Sequence, residues 1–130
     1  VAFPPSLTHC KILVVEPQLV RRQALRQLLA EAGAAQVVLA SSGQEAALEL
    51  ASGLIGLVFT NWKLPDMSGL DMINMVKGDG LNRGVPVVLL GENIPQQQKV
   101  QAVKAGVAGQ LSLPVTRQGL EEVLALVAGE

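Results

Sequence analysis

The stretch "FTNWKLPDMSGL", Phe59 to Leu70, decides how this sequence is read. The apolar run that leads into it, GLVFT from Gly56 to Thr60, has the length and residue types of a buried strand. A proline-bearing loop follows, and Ser68 then caps a segment with Leu70, Ile73 and Val76 at helical spacing. In an α/β domain the crevice beyond the carboxyl end of such a strand is where ligands bind. The residue that stands there is Asn61, an amide, and its surroundings have to explain it.

Four further apolar runs of strand length lie outward from this stretch: KILVVE (Lys11 to Glu16), QVVLA (Gln36 to Ala40), VPVVLL (Val85 to Leu90) and AGQLSL (Ala108 to Leu113). Helical spacing fills the intervals. The first helix is expected from Pro17, favoured at a first helical position, to Ala32, with Gly33 ending it. A short Ala-rich helix follows near Gln44 to Leu50, a fourth ends at KAG with Gly106 as left-handed cap, and the last carries Leu120, Val123, Leu124 and Val127. Strand and helix alternate five times, so an α/β fold with a five-stranded parallel sheet is expected, in which residues ending strands line the crevice. These are Glu16 with Pro17, Asn61, Gly91, and Ser112 with Leu113.

A chain of 130 residues suits one domain with a real core. With 2% aromatic residues and no Tyr, that core must be aliphatic, as in a buried parallel sheet. A formal net charge of -1 gives no electrostatic reason to bind nucleic acid. The single Cys10 rules out an intrachain disulfide and a cysteine-built zinc site and fits a cytoplasmic protein. No apolar run nears the roughly 20 residues that span a bilayer, and VAFPPSLTH has no positive region of a secretion signal, so no membrane role is expected. A start at Val rather than Met leaves an excerpt of a longer protein open.

The chain resembles the receiver domains of bacterial response regulators, the CheY-like family, from Lys11 to about Val127. KILVVEP matches the opening strand, FTNWKLPDMSGL the phosphorylation loop, VPVVLLGEN the fourth strand, and KAGVAGQLSLP the fifth strand with its terminal proline. The resemblance implies a (βα)5 three-layer sandwich of strand order 2-1-3-4-5, with residues 1–10 a tail and 11–128 the receiver-like domain. It also implies a cis Leu113–Pro114 peptide as a possibility. Receivers of the family carry a phosphoryl group on an aspartate ending strand three, with Mg²⁺ on an acidic pair, a hydroxyl ending strand four, a lysine ending strand five and a switch aromatic beside it. Here those positions hold Asn61, Glu16 with Pro17, Gly91, Leu113 and Gln110. An amide is no nucleophile for phosphorus, and one glutamate is a poor Mg²⁺ site.

Lys63, two residues beyond Asn61, is a candidate internal cation in place of the metal, reaching Glu16 with help from Glu92; the plainer reading is a solvated lysine. Asp66, Ser68 and Thr60 have no ready acidic neighbours for a relocated phosphorylation. His9 lacks partners, Met67, Met72 and Met75 fit loop and core, and Arg21, Arg22 and Arg26 fit a solvated helix face. The fourth helix is polar; plain solvent exposure is the default reading of Gln97, Gln101, Lys104 and Gln110, and the resemblance makes them a candidate partner face, with a homodimer through the fourth helix, fifth strand and fifth helix as one use of it.

The expectation is a pseudo-receiver: not an enzyme, without cofactor or metal, acting by interaction with a signalling protein or with other domains of the same chain. One alternative is a phosphorylatable receiver with an unusual acceptor. Another is a flavodoxin-like cofactor- or ligand-binding domain, disfavoured because only Trp62 is near enough to stack on a flavin.

Overall fold

The computed structural model describes residues 4–7 and 9–129. Five strands, β1 (Lys11–Val15), β2 (Gln36–Ala40), β3 (Ile55–Asn61), β4 (Val87–Gly91) and β5 (Gly109–Ser112), form one parallel sheet in the order β2-β1-β3-β4-β5. Five helices connect or follow them: α1 (Leu19–Ala32), α2 (Gly43–Leu50), α3 (Gly69–Gly78), α4 (Gln96–Lys104) and α5 (Arg117–Ala128). This is the flavodoxin-like, CheY-like sandwich, with the expected strand order.

Alternation along the strands splits the core in two. Ile12, Val14, Leu57, Phe59, Val88 and Leu90 pack with Leu25 and Leu29 of α1 and Leu120, Val123 and Leu124 of α5. Their neighbours Leu13, Val15, Val58, Val87 and Leu89 pack with Leu50 of α2, Met72, Ile73 and Val76 of α3 and Ala102 of α4. Burying each such side chain is worth roughly 1.5–3 kcal/mol, which holds a sheet with almost no aromatic residues. Leu7 joins the first cluster at 7% exposed, so the segment expected to be a tail carries a core residue. His9 is exposed.

Helix ends follow local chemistry. Gly33 takes φ 113 after α1 and Gly106 φ 96 after α4, both left-handed as expected. Ser68 caps α3 in a capping box with Asp71. The start of α1 differs from expectation: Pro17 is not its first helical residue. The Gln18 N–H is drawn to the Glu16 carboxylate and Gln18 stays extended as the N-cap, so the helix begins at Leu19. Strand limits shift by a residue or two, with β1 ending at Val15, β3 running on to Asn61 and β4 starting at Val87. The Leu113–Pro114 peptide is cis.

Candidate functional site

The strand ends bring Glu16, Asn61 and Gly91 to one edge of the sheet, where a crevice of about 250 Å³ opens between the loops after β1, β3 and β4. Glu16 is 1% exposed, yet both carboxylate oxygens are satisfied: the Asn61 Nδ2 donates to Oε1 at 2.6 Å and the Gln18 N–H to Oε2 at 2.7 Å. The Asn61 Oδ1 in turn accepts the Lys63 N–H at 3.0 Å. Asn61 therefore gives a hydrogen bond on one side and takes one on the other, which an amide can do and an ionised carboxylate, an acceptor only, cannot. An aspartate here would set a second carboxylate against Glu16, a contact of like charges that normally needs a cation between them. The amide is thus the matching partner of a lone buried glutamate.

The end of β4 is filled differently. A Cβ added to Gly91 would run into Trp62 Cδ1 and come within 2.5 Å of Ile94 Cγ1. The half-buried indole, lying against the α2–α4 side of the core, takes up the room that a side chain at 91 would need. Leu113 lies half-buried against the other cluster, and the half-buried Gln110 reaches only the Lys99 carbonyl, at 3.4 Å.

Lys63 does not serve as the internal cation. Its ammonium sits 4.7 Å from the centre of the Trp62 ring on an exposed residue, whereas the oxygens of Glu16 are already taken by N–H donors that need no charge to be buried. Nor does Glu92 assist it: its carboxylate pairs with Arg21 at 2.6 Å. Arg22 donates to the carbonyls of Glu16 and Pro17 at 2.8 and 3.3 Å and holds the β1–α1 turn. Two arginines expected on a solvated face thus brace the crevice, while Arg26 is exposed as expected.

Asp66, expected as a plain loop residue, caps another element. It accepts the Gly43 N–H at 2.9 Å and the Gln44 N–H at 2.8 Å at the start of α2. The Gly43 bond first, with the Gln44 bond, holds its carboxyl below the usual range, against some desolvation. Glu45 is held low in the same way by the Ser41 N–H and hydroxyl. Burial pushes the Cys10 thiol up.

The residues present do not fit Mg²⁺. Both Glu16 oxygens and the Asn61 oxygen already accept hydrogen bonds, the Pro17 side chain offers no oxygen, and no group of three His, Cys, Asp or Glu side chains among the described residues is placed to hold a metal. Of the candidate partner face, Gln97 and Lys104 are exposed and Gln101 is half-buried, beside exposed Val100, Val103 and Leu126.

The model of the response regulator receiver domain matches residues 12–125. The chain belongs to the response regulator receiver domain family. Chemotaxis protein CheY1 of Helicobacter pylori is 31% identical over 120 residues, 92% of this chain and 97% of that protein. Chemotaxis protein CheY of Pseudomonas aeruginosa is 31% identical over 112 residues, 86% and 90% of the two chains. A putative response regulator from Chloroflexus aurantiacus superposes with a TM-score of 0.85 at 22% identity, covering 93% and 98%. The receiver domain of a sensor histidine kinase of Pseudomonas aeruginosa, which has a magnesium ion coordinated in its active-site cleft, superposes at 0.82 with 23% identity and the same coverage. At these identities the two structures are alike in fold. As a receiver domain of two-component signalling, this chain is a signalling module that interacts with partner proteins or attached domains. No described helix is long and apolar enough to cross a membrane.

Proposed function

We infer that this receiver works without aspartyl phosphorylation, as a pseudo-receiver whose output is protein interaction rather than catalysis. The observation that carries this reading is the continuous run of hydrogen bonds from Gln18 through Glu16 and Asn61 to Lys63, which engages the side-chain oxygens a metal would need. Gly91 and Leu113 add to it, since neither offers a hydroxyl or an ammonium to a phosphoryl group. The polar surface of α4 with Gln97, Gln101, Lys104 and Gln110 is the proposed contact for a signalling partner, another domain of the same protein or a second copy. A cytoplasmic setting, with no direct nucleic-acid or membrane contact, completes the reading.

The test is incubation with Mg²⁺ and a small phosphodonor such as acetyl phosphate or phosphoramidate, followed by intact-mass measurement and peptide mapping. The reading expects no phosphoryl adduct while a conventional receiver treated alongside gains one. An acid-stable or acid-labile adduct on any residue of the crevice would overturn it.

A further inference from the structure

A second cavity, of about 170 Å³, lies on the other side of the β4–α4 loop, between the start of α4 and the end of β5. It is bounded by Gly91, Asn93, Ile94, Lys99, Gln110 and Ser112. Its chemistry is one-sided: one ammonium, two amides and one hydroxyl, with no carboxylate among the lining residues. The side chains of Asn93, Lys99 and Ser112 have no hydrogen-bond or ion-pair partner among the described residues, and Gln110 makes only its 3.4 Å contact to Lys99 O. Of the neighbouring carboxylates, Glu92 is held by Arg21 over the first crevice, and Glu122, which accepts a hydrogen bond from Gln118, lines an adjoining groove between β5 and α5 that shares Gln110, Leu111 and Ser112 with this cavity. A concave site with several unengaged donors and a net positive lining selects a ligand rich in acceptors and negative in charge.

We propose that this cavity binds a small free oxyanion, with the Lys99 ammonium supplying the charge and Ser112, Asn93 and Gln110 supplying directional hydrogen bonds. The volume suits an ion of phosphate or short-carboxylate size with a few waters at about 30 Å³ each, and not a nucleotide. Ile94 lies between this cavity and Trp62, the two meeting in the space beyond Gly91, so occupancy is felt at the only tryptophan. Phosphoryl transfer at residue 61 plays no part, and the outcome is independent of the pseudo-receiver reading.

The experiment is an amide and indole NMR titration of the full chain with inorganic phosphate and, separately, acetate, each against chloride at matched ionic strength. The proposal expects saturable shifts in the amides of Gly91, Asn93, Gln110 and Ser112 and in the Trp62 indole, absent with chloride. Lys99→Gln should weaken binding about tenfold or more, the loss of one charge-assisted contact, while Lys99→Arg stays within about threefold. Saturation by either ion or by both supports the site and reports which oxyanion geometry it takes. Shifts that never saturate, that chloride reproduces, or that survive Lys99→Gln unchanged overturn it.

Discussion

Restoring a hydroxyl at the end of β4 by Gly91→Ser should destabilise the protein through Trp62. The added Cβ would overlap Trp62 Cδ1 and stand 2.5 and 2.6 Å from Ile94 Cγ1 and Cδ1, all well inside van der Waals contact. Forcing extra atoms into a filled core typically costs about 1–3 kcal/mol, and with three overlaps the upper half of that range, roughly 2–3 kcal/mol, is expected. In a Trp62→Ala background the indole overlap disappears and that of Ile94 remains, so the same substitution should cost about 1 kcal/mol. The four proteins form a double-mutant cycle, measured by urea unfolding followed by far-UV circular dichroism so that loss of the tryptophan does not remove the signal. A coupling of roughly 1–2 kcal/mol is expected, against about 0.3–0.5 kcal/mol for sites that do not interact. Equal costs in the two backgrounds would refute the claim that the indole occupies the room of the residue 91 side chain.

Asn61→Asp removes the donor from a 2.6 Å bond to a buried carboxylate and replaces it with a like charge; unfolding at pH 7 should show a loss of roughly 2–4 kcal/mol. Leu7→Ala should cost about 2–4 kcal/mol in the same assay, which a loose tail would not. Arg21→Ala should change stability by less than about 1 kcal/mol, since the pair with Glu92 is partly exposed and screened, and raised salt should leave that difference small. The Asp66 carboxyl is held below its unfolded value near 3.9, so the stability it confers is present above about pH 4 and lost as pH falls through the folded value. The stability difference between the native chain and Asp66→Asn should therefore shrink toward acid, as acid unfolding curves of the two would show.

Local chemistry made most of the fold legible: five apolar runs, the helical spacing between them, glycines at 33 and 106, and the serine cap of α3. The residue type at each strand end was legible too, because alternation and topology bring those ends to one edge of the sheet. What the sequence hid were partnerships between loops. Glu16 and Asn61 are 45 residues apart, Arg21 and Glu92 are 71 apart, and Asp66 reaches back 23 residues to Gly43. No local pattern records such contacts. Lys63 looked like the natural partner of Glu16 by charge, but an amide and a backbone N–H satisfy that carboxylate without burying an ammonium. Gly91 and Trp62 each stood out separately; only the packed structure shows that one side chain fills the space beside the other residue.

The most direct test of the account follows Trp62 fluorescence during titration with Mg²⁺ and then beryllofluoride, in the native chain and in an Asn61→Asp variant shown to be folded. With Glu16 engaged, Pro17 unable to ligate and Gly91 and Leu113 without polar groups, the account predicts no saturable change in the native chain and none of ordinary receiver strength in the variant. A saturable, Mg²⁺-dependent response to beryllofluoride in the native chain would contradict it.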